Sequence, residues 1–204
     1  MQITWHGLNC VRIQGKEVTL ILDPYTSTQG PKLPSWQADI VALSSPELDS
    51  SKGGKEAFRI EHAGEYEVKG AFVYGRQWKR EKTEGTSILY RINLEDISIG
   101  FLAGIDKVMP SALLDLFEGV DILFVPVGDP NLLSAKDAVE IVARIEPRII
   151  IPISYAAQGF KQKFEPIAAF YKELGKQPEV LDKLKISRKD LPESDQQLFE
   201  LNLA

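Results

Sequence analysis

Short apolar stretches punctuated by turn residues fill the first half of the chain, and helix-period segments enter only in the second. Ile3-Thr4-Trp5-His6 and Cys10-Val11-Arg12-Ile13 alternate around Gly7-Leu8-Asn9, which predicts two half-buried strands. Gly15 and Lys16 turn the chain into residues 18–22, continuously apolar as far as Asp23-Pro24, the look of a strand covered on both faces. Residues 26–37, rich in Pro, Gly and Ser, read as a loop. Residues 40–43 predict another buried strand, which empties into a hydroxyl-rich loop reaching residue 51 and then into Lys52-Gly53-Gly54-Lys55. Strand-like patterning resumes over 58–79 with a hairpin about Lys69-Gly70, and a second hairpin is centred on residues 93–96.

The later segments alternate in type. Residues 110–117 predict a helix, with Pro110 at its start and Gly119 past its end. Residues 122–125 predict a strand. A helix over 134–145 has Ser134 at its N-cap, Asp137 in its first turn, and Ala138, Ile141, Val142 and Ile145 on one face. A strand over 148–153 and an amphipathic helix over 164–174 follow, and residues 184–187 and 197–201 close as short strands. Strands followed by β-α-β-α units predict an α/β (α+β) fold of layered sheets covered by helices, with residues 1–204 as a single domain.

Composition narrows the function classes. At 204 residues and 44% hydrophobic, the chain can bury a sizeable core. A net charge of −5 with both signs interspersed argues against nucleic acid as a partner. The most basic stretch, residues 76–82, is diluted by Glu81 and Glu84 and reads as a solvated hairpin loop. The chain opens on a strand pattern, and no run reaches the ~18 apolar residues of a membrane span, so neither a signal peptide nor a membrane is expected. The single cysteine, Cys10, excludes an intrachain disulfide, suits a cytoplasmic location and reads as a small core residue.

The loop after residues 40–43 is where an α/β protein places its chemistry. It offers Ser44, Ser45, Glu47, Asp49 and Ser50. It also carries a resemblance, to the metal-binding loop of the metallo-β-lactamase superfamily, Ser/Thr-His-x-His-x-Asp-His. Ser44 stands at the Ser/Thr position and Asp49 at the Asp position, while Ser45, Glu47 and Ser50 stand where the family has histidines. Further pieces resemble, in order, the branch that includes the L-ascorbate-6-phosphate lactonase-like proteins. They are the opening 3–13, Leu20-Ile21-Leu22-Asp23-Pro24, Gly64-Glu65-Tyr66-Glu67-Val68-Lys69-Gly70, residues 124–128, residues 146–152 and Ser154-Tyr155. The resemblance spans nearly the whole chain and implies a four-layer αββα sandwich.

It also implies a pair of metal ions that these residues are poorly suited to hold. Ile105 replaces the family's bridging Asp, unless a one-residue shift brings in Asp106, and Ser154 replaces the last His. Zinc is held by imidazole, thiolate and carboxylate, and the chain has only His6, His62 and Cys10 besides its carboxylates. An oxygen-rich Mg or Mn site drawn from Glu47, Asp49, Asp106, Asp23 and His6 is the alternative. A serine nucleophile lacks an adjacent base and a Gly-x-Ser-x-Gly turn. The expectation is therefore a non-catalytic member without a cofactor, binding an unknown small molecule or protein, with His6, Asp23 and Asp106 as further cleft residues. The competing reading is a hydrolase with an altered metal site, built from Mg or Mn or completed by a partner subunit. A homo-oligomer stays open.

Overall fold

Alternation of side chains sets the first sheet. In the computed structural model, which describes residues 1–49 and 51–204, β1 (Gln2–Trp5) and β2 (Val11–Gln14) pair antiparallel, with Ile3 opposite Ile13 and Trp5 opposite Val11. These four are buried, while Thr4 and Arg12 take the other face. β3 (Thr19–Leu22) is antiparallel to β2 and parallel to β4 (Ile40–Ala42), which is in turn parallel to β5 (Phe58–Ile60). The period of two then divides the apolar residues. Leu20, Leu22, Ile40 and Ala42 enter the main core, and Ile21, Val41 and Cys10 enter a second, smaller cluster on the opposite face.

The second sheet begins as a meander. β6 (Gly64–Val68), β7 (Ala71–Lys79), β8 (Thr86–Leu94) and β9 (Ile97–Phe101) run antiparallel. The turn between β8 and β9 places Glu95 and Asp96 both at positive φ, the twist a tight hairpin requires. The sheet then turns parallel. After α1 (Ser111–Leu114) comes β10 (Ile122–Pro126), paired to β9, and after α2 (Ala135–Ile145) comes β11 (Ile149–Ile153), paired to β10. The chain continues through α3 (Ala168–Leu174), β12 (Glu179–Leu181), β13 (Leu184–Lys185) and β14 (Gln197–Leu201). The sheet orders are β13-β1-β2-β3-β4-β5 and β12-β14-β11-β10-β9-β8-β7-β6.

The inner faces meet through fully buried Ile3, Ile13, Leu20, Leu22, Phe101, Phe124 and Ile151, among others. Each contributes about 1.5–3 kcal/mol by leaving water. A hydroxyl bolts the sheets together at one end: Tyr90 of β8 donates to the carbonyl of Leu43 at 2.6 Å, just past β4. The Ile88 N–H reaches the Ser44 carbonyl beside it at 2.8 Å. α2 packs against α3 and β10, giving the second sheet its helical cover. Ser134 caps α2 as expected, its hydroxyl accepting the Asp137 N–H.

The α/β sandwich is as expected, with particular departures. Among the described residues no helix lies between β3 and β5, so the outer face of the first sheet is covered by coil. Tyr25, Leu33, Trp36, Leu43, Leu48 and Phe160 supply that cover. The helix expected over 164–174 begins only at Ala168, because Pro166 lies at its approach and the residue before a proline is pushed out of helical geometry. Residues 110–117 divide into α1 and a 3-10 turn. Only the end of the basic segment 76–82 is a loop: β7 runs through Lys79 and buries Trp78, and residues 80–82 then enter the β7–β8 loop with Glu81 and Lys82 exposed. No helix among the described residues is long and apolar enough to cross a membrane.

Candidate functional site

The parallel pairing of β3 with β4 sets Leu22 beside Ala42, so the residues just beyond, Asp23 and Ser44, come together. Asp23 adopts a left-handed backbone (φ 46°), which a short polar side chain tolerates. Its buried carboxylate accepts the Ser44 N–H at 2.6 Å and the Ser44 hydroxyl at 2.5 Å. Burial pushes the Asp23 carboxyl from 3.8 up to about 7, opposed by the hydrogen bonds of Ser44 and by the Asn9 side chain. Asn9 links this pair to the other sheet, accepting the hydroxyl of Ser154 at the end of β11. Ser154 is itself left-handed (φ 54°), and its N–H donates to the Leu8 carbonyl at 3.0 Å. Thus β3, β4, the β1–β2 turn and β11 are tied at one end by buried hydrogen bonds.

Asp106 forms a second knot. It accepts the Trp78 indole N–H at 2.9 Å and the backbone N–H groups of Glu81 and Lys82 at 2.5 and 2.7 Å. Burial works to raise its carboxyl, but these donors outweigh it and hold Asp106 below the ordinary carboxylate range. Its side chain therefore folds the β7–β8 loop down onto residues 102–106. Ile105 is fully buried in the main core beside it.

The remaining residues of the loop after β4 face elsewhere. The side chain of Glu47 is 68% exposed and lies 3.8 Å from an Arg80 nitrogen. Asp49 accepts the N–H and hydroxyl of Ser51, at 3.0 and 2.5 Å, and caps no helix. The Ser45 hydroxyl is buried and, among the described residues, has no hydrogen-bond partner. Ser50, a candidate from the sequence, lies outside the described residues.

His6 is buried, shares a 3.0 Å hydrogen bond with Thr4 and meets Trp36 edge-on at 4.8 Å. Burial pushes its imidazole down to about 4, the Ala204 backbone opposing and Arg12 assisting. His62 is exposed. Cys10 is buried, which raises its thiol and keeps it from the thiolate form that ligates metals. Among the described residues no three His, Cys, Asp or Glu side chains converge to hold a metal ion.

Phe160 was not foreseen from the sequence. Its ring covers Gly7 and Gly30, where an added Cβ would lie 1.9 and 2.4 Å from ring carbons, and meets Tyr25 edge-on at 5.5 Å. Asn9 and Arg80 were equally unmarked as neighbours of the site, whereas Trp78, which the sequence offers with Trp5 and Trp36 as a cleft or core aromatic, proves buried and bonded to Asp106. Only the adjacency of Asn9 to Gly7 in the opening hairpin offered a signal.

Two face-to-face mixed sheets with chemistry-bearing loops at one end define a metallo-β-lactamase type of sandwich. Comparison with protein families matches residues 2–154 to the Beta-lactamase superfamily domain, and the chain belongs to that family. A UPF0173 protein of Pyrococcus abyssi is 24% identical over 193 residues, spanning 81% of this chain and 91% of its own length. A UPF0173 protein of Pyrococcus furiosus is 23% identical over 198 residues, spanning 86% and 91%. A Thermotoga maritima structure, described as a candidate zinc-dependent hydrolase of the metallo-beta-lactamase superfamily, superposes with a TM-score of 0.83 at 23% identity. It covers 98% of this chain and 97% of its own. A candidate metal-dependent hydrolase from Parabacteroides distasonis gives 0.66 at 16%, covering 84% and 87%. At these identities the structural likeness speaks to the fold.

Proposed function

We propose that this chain is a non-catalytic member of the superfamily, a cytoplasmic binding module for a small molecule or a protein. The observation that carries this reading is the fate of the side chains at the family's ligand positions. Ser154 bonds to Asn9, Ile105 is buried in apolar surroundings and Ser45 offers only a neutral hydroxyl. Asp106, the acid that a shifted alignment would supply, spends its oxygens on Trp78, Glu81 and Lys82. Hydroxyl oxygens and an isoleucine do not fit a pair of zinc ions. Hydrogen bonds through Asp23, Ser44, Asn9 and Ser154 instead hold the strand ends.

The competing reading, a hydrolase using Mg or Mn, draws on Glu47 and Asp49 and on the names of the structural relatives. It is weaker because Glu47 points to solvent and Arg80, and Asp49 turns back to Ser51. The deciding measurement is elemental analysis of protein purified without chelator from metal-supplemented culture. Substoichiometric zinc, manganese and iron are expected, with no gain in phosphodiester or lactone hydrolysis on adding Mg or Mn. One bound equivalent of any of these metals, or metal-dependent turnover abolished in Asp49→Ala, overturns the proposal.

A further inference from the structure

We infer that Arg80 anchors an oxyanion site, for a carboxylate or a phosphate group, between the turn 45–48 and the β7–β8 loop. This deepens the reading of the cleft as a binding site and rests on it. The first observation is the state of the guanidinium. Only 17% of the Arg80 side chain is exposed, yet it meets no hydrogen-bond acceptor among the described residues, and its Nε is buried without a partner. Its nearest charge, the Glu47 carboxylate, stands 3.8 Å from Nη2, beyond hydrogen-bond reach. Arg91 and Arg188, by contrast, are satisfied, Arg91 donating to Ser98 and Leu116 and Arg188 to Asp121 and Asp96. Arg12 shares a buried Nε without a partner among the described residues, but it lies on β2, away from these loops.

The second observation is the company it keeps. The hydroxyls of Ser45 and Thr83 are also buried without partners among the described residues. Ser45 opens the turn that carries Glu47, closed by the Leu48 N–H on the Ser45 carbonyl at 3.4 Å. Thr83 lies in the loop closed by the Arg80 N–H on the Gly85 carbonyl at 3.3 Å. The Ile88–Ser44 backbone bond brings these two segments side by side. Three buried groups able to donate, one of them a planar cationic fork, therefore lie on adjoining segments without an acceptor. An oxyanion supplies what they lack, several lone pairs and a negative charge, whereas a metal cation finds no ligand in them.

The neighbouring cations are engaged elsewhere. Lys82 reaches the Leu132 carbonyl and Lys107 pairs with Glu81. Glu47, mostly exposed, acts as a loosely held competitor that an incoming anion displaces. That makes Glu47 a control on the site rather than a member of it.

The test is calorimetric titration of the purified protein with inorganic phosphate and, separately, with acetate, at fixed ionic strength. Saturable binding of at least one is expected, and which one binds identifies the group. Arg80→Met should weaken it by about tenfold or more, the loss expected for a charge-assisted hydrogen bond. Glu47→Gln, a surface change that leaves folding intact, should tighten it. No binding of either anion, equal binding by Arg80→Met, or no tightening in Glu47→Gln overturns the assignment. Metal content measured on the same samples keeps the two proposals apart. Bound metal counts against the metal-free cleft, and the Arg80 and Glu47 comparison alone decides the oxyanion site.

Discussion

Replacing Asp23 by Asn should change how stability depends on pH, and the sign can be worked out from the fold. The carboxyl is buried at the junction of β3 and β4, and burial pushes it from 3.8 up to about 7. A group whose folded value is raised contributes stability that is complete below the unfolded value and lost as pH climbs through the folded one. Wild-type protein should therefore lose this contribution between about pH 4 and pH 7. At 1.36 kcal/mol per unit, a displacement of roughly three units corresponds to about 4 kcal/mol. Asn fits the same place: its Oδ1 accepts the Ser44 N–H, and its amide donates to the Ser44 hydroxyl once that hydroxyl rotates. The variant has no titration there, so it should gain about 4 kcal/mol on wild type between pH 4 and pH 8.

The difference between the two proteins is the quantity to measure, because His6 acts in the opposite sense. Its imidazole is pushed down from 6.5 to about 4, so its contribution is present above 6.5 and lost as pH falls toward 4. Subtraction removes it. Urea unfolding followed by tryptophan fluorescence at several pH values reads the effect. With a slope near 2 kcal/mol/M, the midpoints should separate by about 2 M more at pH 8 than at pH 4. A separation that stays constant with pH would refute the argument that burial holds Asp23 protonated.

Two other substitutions probe the knots of the same end. Asp106→Ala strands the buried Trp78 N–H and removes two backbone contacts, and should cost about 3 kcal/mol. In a thermal melt this appears as a drop of roughly 6–12 °C that a chelator does not alter, and a drop below about 2 °C would contradict it. Gly30→Ala places a Cβ 2.4 Å from the Phe160 ring and should destabilise by about 1–3 kcal/mol. Combined with Phe160→Ala the penalty should largely vanish, and strict additivity in that double-mutant cycle would count against the contact.

What the sequence made legible follows from how local each signal is. The hairpins about Lys69-Gly70 and about 93–96 were readable because turn residues and alternation lie within a few positions of one another. Helix α2 was equally plain, with its Ser134 cap and its buried face of Ala138, Ile141, Val142 and Ile145. β12 escaped notice because Glu179 and Val180 are exposed at a sheet edge, and only its parallel partner β14 makes it a strand. β5 fell within the strand-like stretch from residue 58, but its separation from β6 and its parallel place beside β4 were not readable in a three-residue run with Arg59 at its centre. The coil over the first sheet left no helical period to find, and its anchors, Tyr25, Leu33 and Trp36, are scattered through the Pro-rich loop.

The candidate site divides the same way. Ser45, Glu47, Asp49 and Ser154 could be named because they stand in motif positions. What they touch is set by pairings across the chain: Asn9 with Ser154 is separated by 145 positions, and Trp78 with Asp106 by 28. A carboxylate that looks available in the sequence, Asp106, proves committed to its own scaffold. An arginine that looked like part of a solvated loop proves nearly enclosed.

The Tyr90 hydroxyl, pinned to the Leu43 carbonyl, has a mechanical consequence. With that pin and the neighbouring Ile88–Ser44 bond in place, parting the two sheets at this end to admit a guest costs both bonds, about 1–3 kcal/mol together. The easier movement is that of the short surface segments 45–48 and 80–85, so a disulfide staple between them should block any guest at Arg80 while leaving the frame untouched.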